Sequence, residues 1–102
     1  MGGKRRTSFK SISESLPAVL REIGLAEKVA AYQAVAEWSE IVGPAIARHA
    51  SAVGVEEKTL LVAVDSPAWM TQLFYLKNEI LKKVAEHIGA GLITEIRLVL
   101  RR

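Results

Sequence analysis

The chain has 102 residues, half of them hydrophobic and a quarter charged, with no cysteine. That suffices for one domain with a modest core. It excludes a disulfide framework and thiolate metal sites. No apolar run reaches the roughly 18 residues that a membrane-spanning helix needs, and the basic start Met1-Gly2-Gly3-Lys4-Arg5-Arg6 lacks the apolar stretch of an export signal.

The net charge of +3 is unevenly spread. Residues 1–10 carry Lys4, Arg5, Arg6 and Lys10 without an acid, and Arg101 and Arg102 close the chain. The stretch between is net negative, with eight basic and eleven acidic residues over 11–100. Basic ends attract polyanions, nucleic acid first among them, although short charged termini also serve solubility alone.

Taken in order, residues 1–8 read as a flexible basic arm and 9–102 as a single domain. Ser11-Ile12-Ser13-Glu14 has capping-box spacing, and Leu16, Val19, Leu20 and Ile23 follow at helical period. Pro17 suits a first turn, and Gly24 reads as the stop of this first helix. A second helix is expected over Ala26–Val42, with Val29, Tyr32, Val35, Ala36, Trp38, Ile41 and Val42 inward. Gly43 closes it and Pro44 opens a third, short helix running to His49.

The period then changes from helical to alternating. Val53 and Val55, then Leu60, Val62 and Val64, mark two strands joined tightly through Glu56-Glu57-Lys58. That connection lacks the Asn-Gly or Asp-Gly of a strong hairpin turn. Ser66 and Pro67 are an N-cap and first helical residue for a long helix ending near Ile88. Its stripe is Trp69, Leu73, Leu76, Ile80, Val84 and Ile88, widened by Met70, Phe74 and Leu81. Gly89-Ala90-Gly91 ends it, and Ile93–Leu100 forms a last strand. The expected class is α+β, in the order α-α-α-β-β-α-β. The first two strands should pair antiparallel, and the helical crossover should make the second and third parallel. Helices would pack on one face of this small mixed sheet, leaving Leu61, Ala63, Ala52 and Val99 on the other.

Motifs for catalysis are missing. His49 and His87 form no ligand spacing, and no nucleophile elbow or glycine-rich phosphate loop occurs. No enzyme, cofactor or metal is therefore expected. His49 could titrate near neutral pH or touch a phosphate, but suits a C-terminal helix cap better. Trp38 falls on an apolar stripe and belongs to the core. Trp69, in a first helical turn, is either a buried anchor or a plate for a partner. Lys77, Lys82, Lys83 and Arg97 read as a solvated face interleaved with Glu79 and Glu86. Only with the basic ends do they suggest a nucleic-acid surface.

The run Trp38-x-x-Ile41-Val42-Gly43-Pro44-x-Ile46-Ala47-x-His49, then Leu60-x-Val62-x-Val64, then Ser66-x-x-Trp69-x-x-x-Leu73, resembles the DciA family of bacterial proteins. Ile80-Leu81, Gly89 and Ile96-Arg97 agree in order, so the resemblance spans about residues 16–100. It implies a KH-like domain and a role as loader or operator of the DnaB-type replicative helicase, binding both helicase and DNA. The absence of cysteine and of an export signal fits the cytoplasm, and the expected location is cytoplasmic and nucleoid-associated. The family's domain often carries a disordered extension; this sequence has only the short arm and ends at Arg102, so it is expected to manage with less. The GXXG loop that clamps nucleic acid in KH domains is absent.

The expected function is thus a non-enzymatic replication accessory protein. DNA would be held by Lys4, Arg5, Arg6 and Lys10, supported by Arg101 and Arg102 and by Lys77, Lys82, Lys83 and Arg97. Single-stranded or forked DNA is the expected ligand, and Trp69 the partner contact. The alternatives are a KH-like RNA- or ribosome-associated protein, and a protein–protein interaction module that binds no nucleic acid.

Overall fold

The computed structural model describes residues 18–101, with side chains from residue 22 onward. The expected capping box at Ser11, and Leu16 and Pro17, lie outside the described residues. So do Lys4, Arg5, Arg6, Lys10 and Arg102.

The helices are α1 (Ala18–Ala36), α2 (Trp38–Val42), α3 (Pro44–Ala47) and α4 (Pro67–Ile88). The strands are β1 (Ala50–Glu56), β2 (Thr59–Val64) and β3 (Glu95–Leu100). The sheet order is β1-β2-β3, with β1 and β2 antiparallel and β2 and β3 parallel, as expected. Three strands and the helices share one core, centred on Leu60, Val62, Val64, Leu73, Val84 and Ile96.

Gly24 does not stop a helix. α1 runs through it, because Ala26, Ala30, Ala31 and Ala34 favour helix enough to outweigh a glycine cost of about 1 kcal/mol. The break falls instead at Glu37, where φ is −108° and ψ 19°. It is a bend rather than an end: Glu37 N–H still donates to Gln33 O at 2.8 Å, and Ile41 N–H to Glu37 O at 3.0 Å.

The phase of α1 also differs from expectation. Its inward face is Ala31, Ala34 and Val35, whereas Val29 and Tyr32 are 63% and 44% exposed. Alanines let the helix lie close to β1, so the larger side chains turn outward. Tyr32 compensates by donating its hydroxyl to Val55 O at 3.4 Å.

Gly43 (φ 90°) does part α2 from α3, and Pro44 is the first residue of α3. Trp38 is buried and its indole N–H donates to Ala50 O at 2.8 Å across that hinge. α3 ends at Ala47, two residues before His49. In β1 the register shifts between Ala52 and Gly54. The extra residue, Val53, is 59% exposed, while Ala52 pairs with Val62 and packs on the core. The bulge thus places Ala52 inward, against expectation, because one inserted residue reverses the strand's alternation.

The two-residue turn between β1 and β2 has positive φ at both Glu57 (48°) and Lys58 (66°). This is the left-handed geometry that hairpins favour and that non-glycine residues adopt at a cost of about 1–2 kcal/mol each. Lys58 O accepts from Thr94 N–H (2.8 Å) and Glu95 N–H (3.3 Å), which ties the turn to the start of β3. A Glu57→Asn, Lys58→Gly double variant should therefore be more stable by about 1–2 kcal/mol, read as a higher urea midpoint at unchanged slope.

Candidate functional site

Two chain segments 16 residues apart meet at the end of β2. His49 O accepts the backbone N–H of Asp65 at 2.9 Å, and His49 Nδ1 lies 2.9 Å from Asp65 Oδ2. The carboxylate orients the imidazole, which stacks on the Trp69 indole with centroids 4.7 Å apart and planes 14° from parallel. Ser66 caps α4 by accepting Trp69 N–H at its Oγ (3.3 Å), so the backbone of Trp69 is fixed as well. Trp69 is half-buried, with its apolar edge on the core and a shallow depression beside it lined by Ala68 and Gln72.

His49 is therefore not the cap of the short helix. Its ring serves Trp69 and Asp65 instead. A His–Asp pair can orient a general base, which in enzymes activates a side-chain nucleophile, a water or the substrate itself. No hydroxyl or thiol is hydrogen-bonded to this imidazole among the described residues. What the arrangement provides is an aromatic plate held in one orientation at a partly exposed corner, the type of side chain that dominates binding energy at interfaces.

The basic residues expected to hold DNA are dispersed. Lys77 and Arg97 border one groove between α4 and β3, together with Met70, Phe74 and Leu98. Lys77 Nζ is 3.5 Å from Glu95 Oε2 and 5.4 Å from the centre of the Phe74 ring. Arg97 Nη1 is 4.0 Å from Glu56 Oε1. Lys82 and Lys83 lie elsewhere on α4, in a depression shared with Glu79 and Glu86. Arg101 reaches Ser51 Oγ at 3.5 Å and anchors its backbone N–H on Val64 O.

Arg97 and Val99 project from the sheet face opposite the core, together with Ser51, Gly54, Leu61 and Ala63. No described residue of that face is buried.

Phe74 and Tyr75 were not among the expected site residues. They are 59% and 78% exposed and meet edge to face at 5.5 Å. Phe74 was expected on the buried stripe of α4, and adjacency is only a partial signal: neighbouring helical residues point about 100° apart, so a narrow core contact turns one or both of two successive rings outward. A further cluster brings together Glu37, Glu40 and His87, with their ligand atoms within 4.8 Å of one another.

The halves of the pattern noted in the sequence, Trp38 to His49 and Ser66 to Leu73, are thus one three-dimensional corner. Residues 11–98 match the family described as Dna[CI] antecedent, DciA. The chain belongs to the DciA family. It is 37% identical over 98 residues to a UPF0232 protein of Corynebacterium glutamicum, an alignment covering 92% of this chain and 55% of that protein. A UPF0232 protein of Rhodococcus jostii is 33% identical over 81 residues, covering 79% and 43%. One of Mycobacterium ulcerans is 35% identical over 75 residues, covering 74% and 40%. The chain thus spans about half the length of these DciA relatives.

Replacing His49 by alanine removes the stack and the hydrogen bond to Asp65 together. Equilibrium unfolding in urea should show a loss of about 1–2 kcal/mol, with the fold retained.

Proposed function

We propose that this chain works by binding rather than catalysis, as an accessory protein of bacterial DNA replication. In this reading it engages the DnaB-type replicative helicase and DNA and promotes helicase loading. One observation carries the proposal: the DciA match runs from ahead of α1 into β3, and so includes the whole Trp38–His49–Trp69 corner. The same family membership supports a KH-like reading of the fold and a cytoplasmic, nucleoid-associated location.

Trp69 is the partner-contacting plate, held by His49 and Asp65. DNA is held by the arm, residues 1–8 with Lys10, ahead of a domain spanning 9–102. Arg101 and Arg102 assist, as do Lys77, Lys82, Lys83 and Arg97. Single-stranded or forked DNA is the ligand. Because Lys77 and Arg97 face carboxylates and Lys82 and Lys83 alternate with them, the arm supplies most of the attraction.

That same pairing of cations favours a second reading, a protein-interaction module that binds no nucleic acid. Exposed Phe74 and Tyr75, and the unburied sheet face, would then serve protein partners.

The test of the leading reading is co-purification with the replicative helicase of the same organism. A complex should form at micromolar concentration, and Trp69→Ala should weaken it at least tenfold with the fold intact. No complex at that concentration would remove the helicase reading.

Fluorescence anisotropy with labelled single-stranded DNA tests the arm. Four phosphate contacts give log affinity against log salt a slope of about −3. Deleting residues 1–10 should remove most of that slope. Affinity unchanged by the deletion would sink the arm assignment, and no DNA binding at low salt with helicase binding retained would favour the second reading.

A further inference from the structure

Neither histidine has metal-ligand spacing in the sequence, but the fold gives one of them two carboxylate neighbours. Glu37 sits at the bend between α1 and α2, Glu40 lies one turn later in α2, and His87 is in the last turn of α4. Their ligand atoms all lie within 4.8 Å of one another.

His87 Nε2 is 3.7 Å from Glu37 Oε1 and 3.9 Å from Glu40 Oε1. Both separations exceed the roughly 2.7–3.2 Å of an N–H···O hydrogen bond. They are near the edge of a coordination tetrahedron instead: bonds of about 2.0–2.2 Å to nitrogen and oxygen place neighbouring ligands roughly 3.4 Å apart. Two carboxylates converge on one nitrogen without either reaching hydrogen-bond contact. A cation between the three atoms would contact all of them and offset the repulsion between the acids.

We propose that Glu37, Glu40 and His87 form a site for a divalent transition-metal ion, with zinc the best match. An imidazole nitrogen with two carboxylates suits zinc and its first-row neighbours, whereas magnesium and calcium prefer oxygen alone. A fourth position is open to water, because Glu40 is 75% exposed and the other two side chains 38%.

The backbone beneath is fixed. Trp38 and Ile41 are buried beside the two acids, and Ile80 and Val84 beneath His87. His87 Nε2 needs to close on each carboxylate by only a few tenths of an ångström to reach the tetrahedral edge, and the two carboxylates, within 4.8 Å of each other, by about 1.4 Å at most. A bound ion would join the bend after α1 to the end of α4, two points 47 residues or more apart in sequence.

The experiment is calorimetric titration of the chelator-stripped full chain with zinc chloride at pH 7.5. One zinc per chain should bind with micromolar affinity, and millimolar magnesium should not compete. His87→Ala should weaken binding at least tenfold, and Glu40→Gln should weaken it measurably. Independently of any variant, zinc should shift the ring nitrogens of His87 in the nuclear magnetic resonance spectrum and leave those of His49 in place. Absence of zinc binding at 100 µM, an unchanged affinity in His87→Ala, or a shift confined to His49 would overturn the proposal.

Discussion

The buried indole of Trp38 donates to the carbonyl of Ala50 across a reversal of the chain. Gly43 and Pro44 make the reversal possible, but a hinge alone does not say where the sheet begins. The indole does. It holds Ala50 against the end of the helical layer, where Ala50 pairs with Val64, and Val64 in turn pairs with Leu100. One side-chain hydrogen bond thereby sets where all three strands lie relative to the helices. The bond is sequestered from water, so an unpaired Ala50 carbonyl would carry a desolvation cost of about 1–3 kcal/mol.

The same placement builds the corner beside it. With Ala50 fixed, His49 lies opposite Asp65, and their backbone contact extends the ladder by one rung. Ser66 then starts α4 at once, so Trp69 comes up beneath the imidazole. The segments Trp38–His49 and Ser66–Leu73 are thus mutually dependent. A change in the hinge would move the plate, although the two are far apart in sequence. A surface that owes its geometry to the start of the sheet is held by the sheet, which would limit the entropy lost by any partner docking there.

Much of this architecture is legible in the sequence, where local chemistry and tertiary demand agree. The strands alternate, Ser66 and Pro67 signal a helix start, and a helix between two strands permits their parallel pairing. The features that escape are those decided by neighbours. Gly24 is helical because the alanines around it are good helix formers. Val29 and Tyr32 face outward because the alanine side of α1 allows closer approach to the sheet. Val53 bulges, and no residue type announces it. The candidate site divides in the same way. Trp69 is visible as an aromatic in a first helical turn. That His49 would lie flat upon it, or that His87 would meet Glu37 and Glu40, depends on which distant segments the fold brings together.

Among the described residues neither outer strand of the sheet has a further strand beside it, and the bulge makes these two borders unlike. At Val53 the outer border of β1 loses its even spacing of donors and acceptors, and the Tyr32 hydroxyl occupies the carbonyl of Val55. A foreign strand would find no continuous row of partners there, so this border resists edge-to-edge association. β3 has no such interruption in its register with β2, from Glu95 to Leu100. Strand addition by another chain, whether in misfolding or in assembly, would therefore be confined to one side of the molecule.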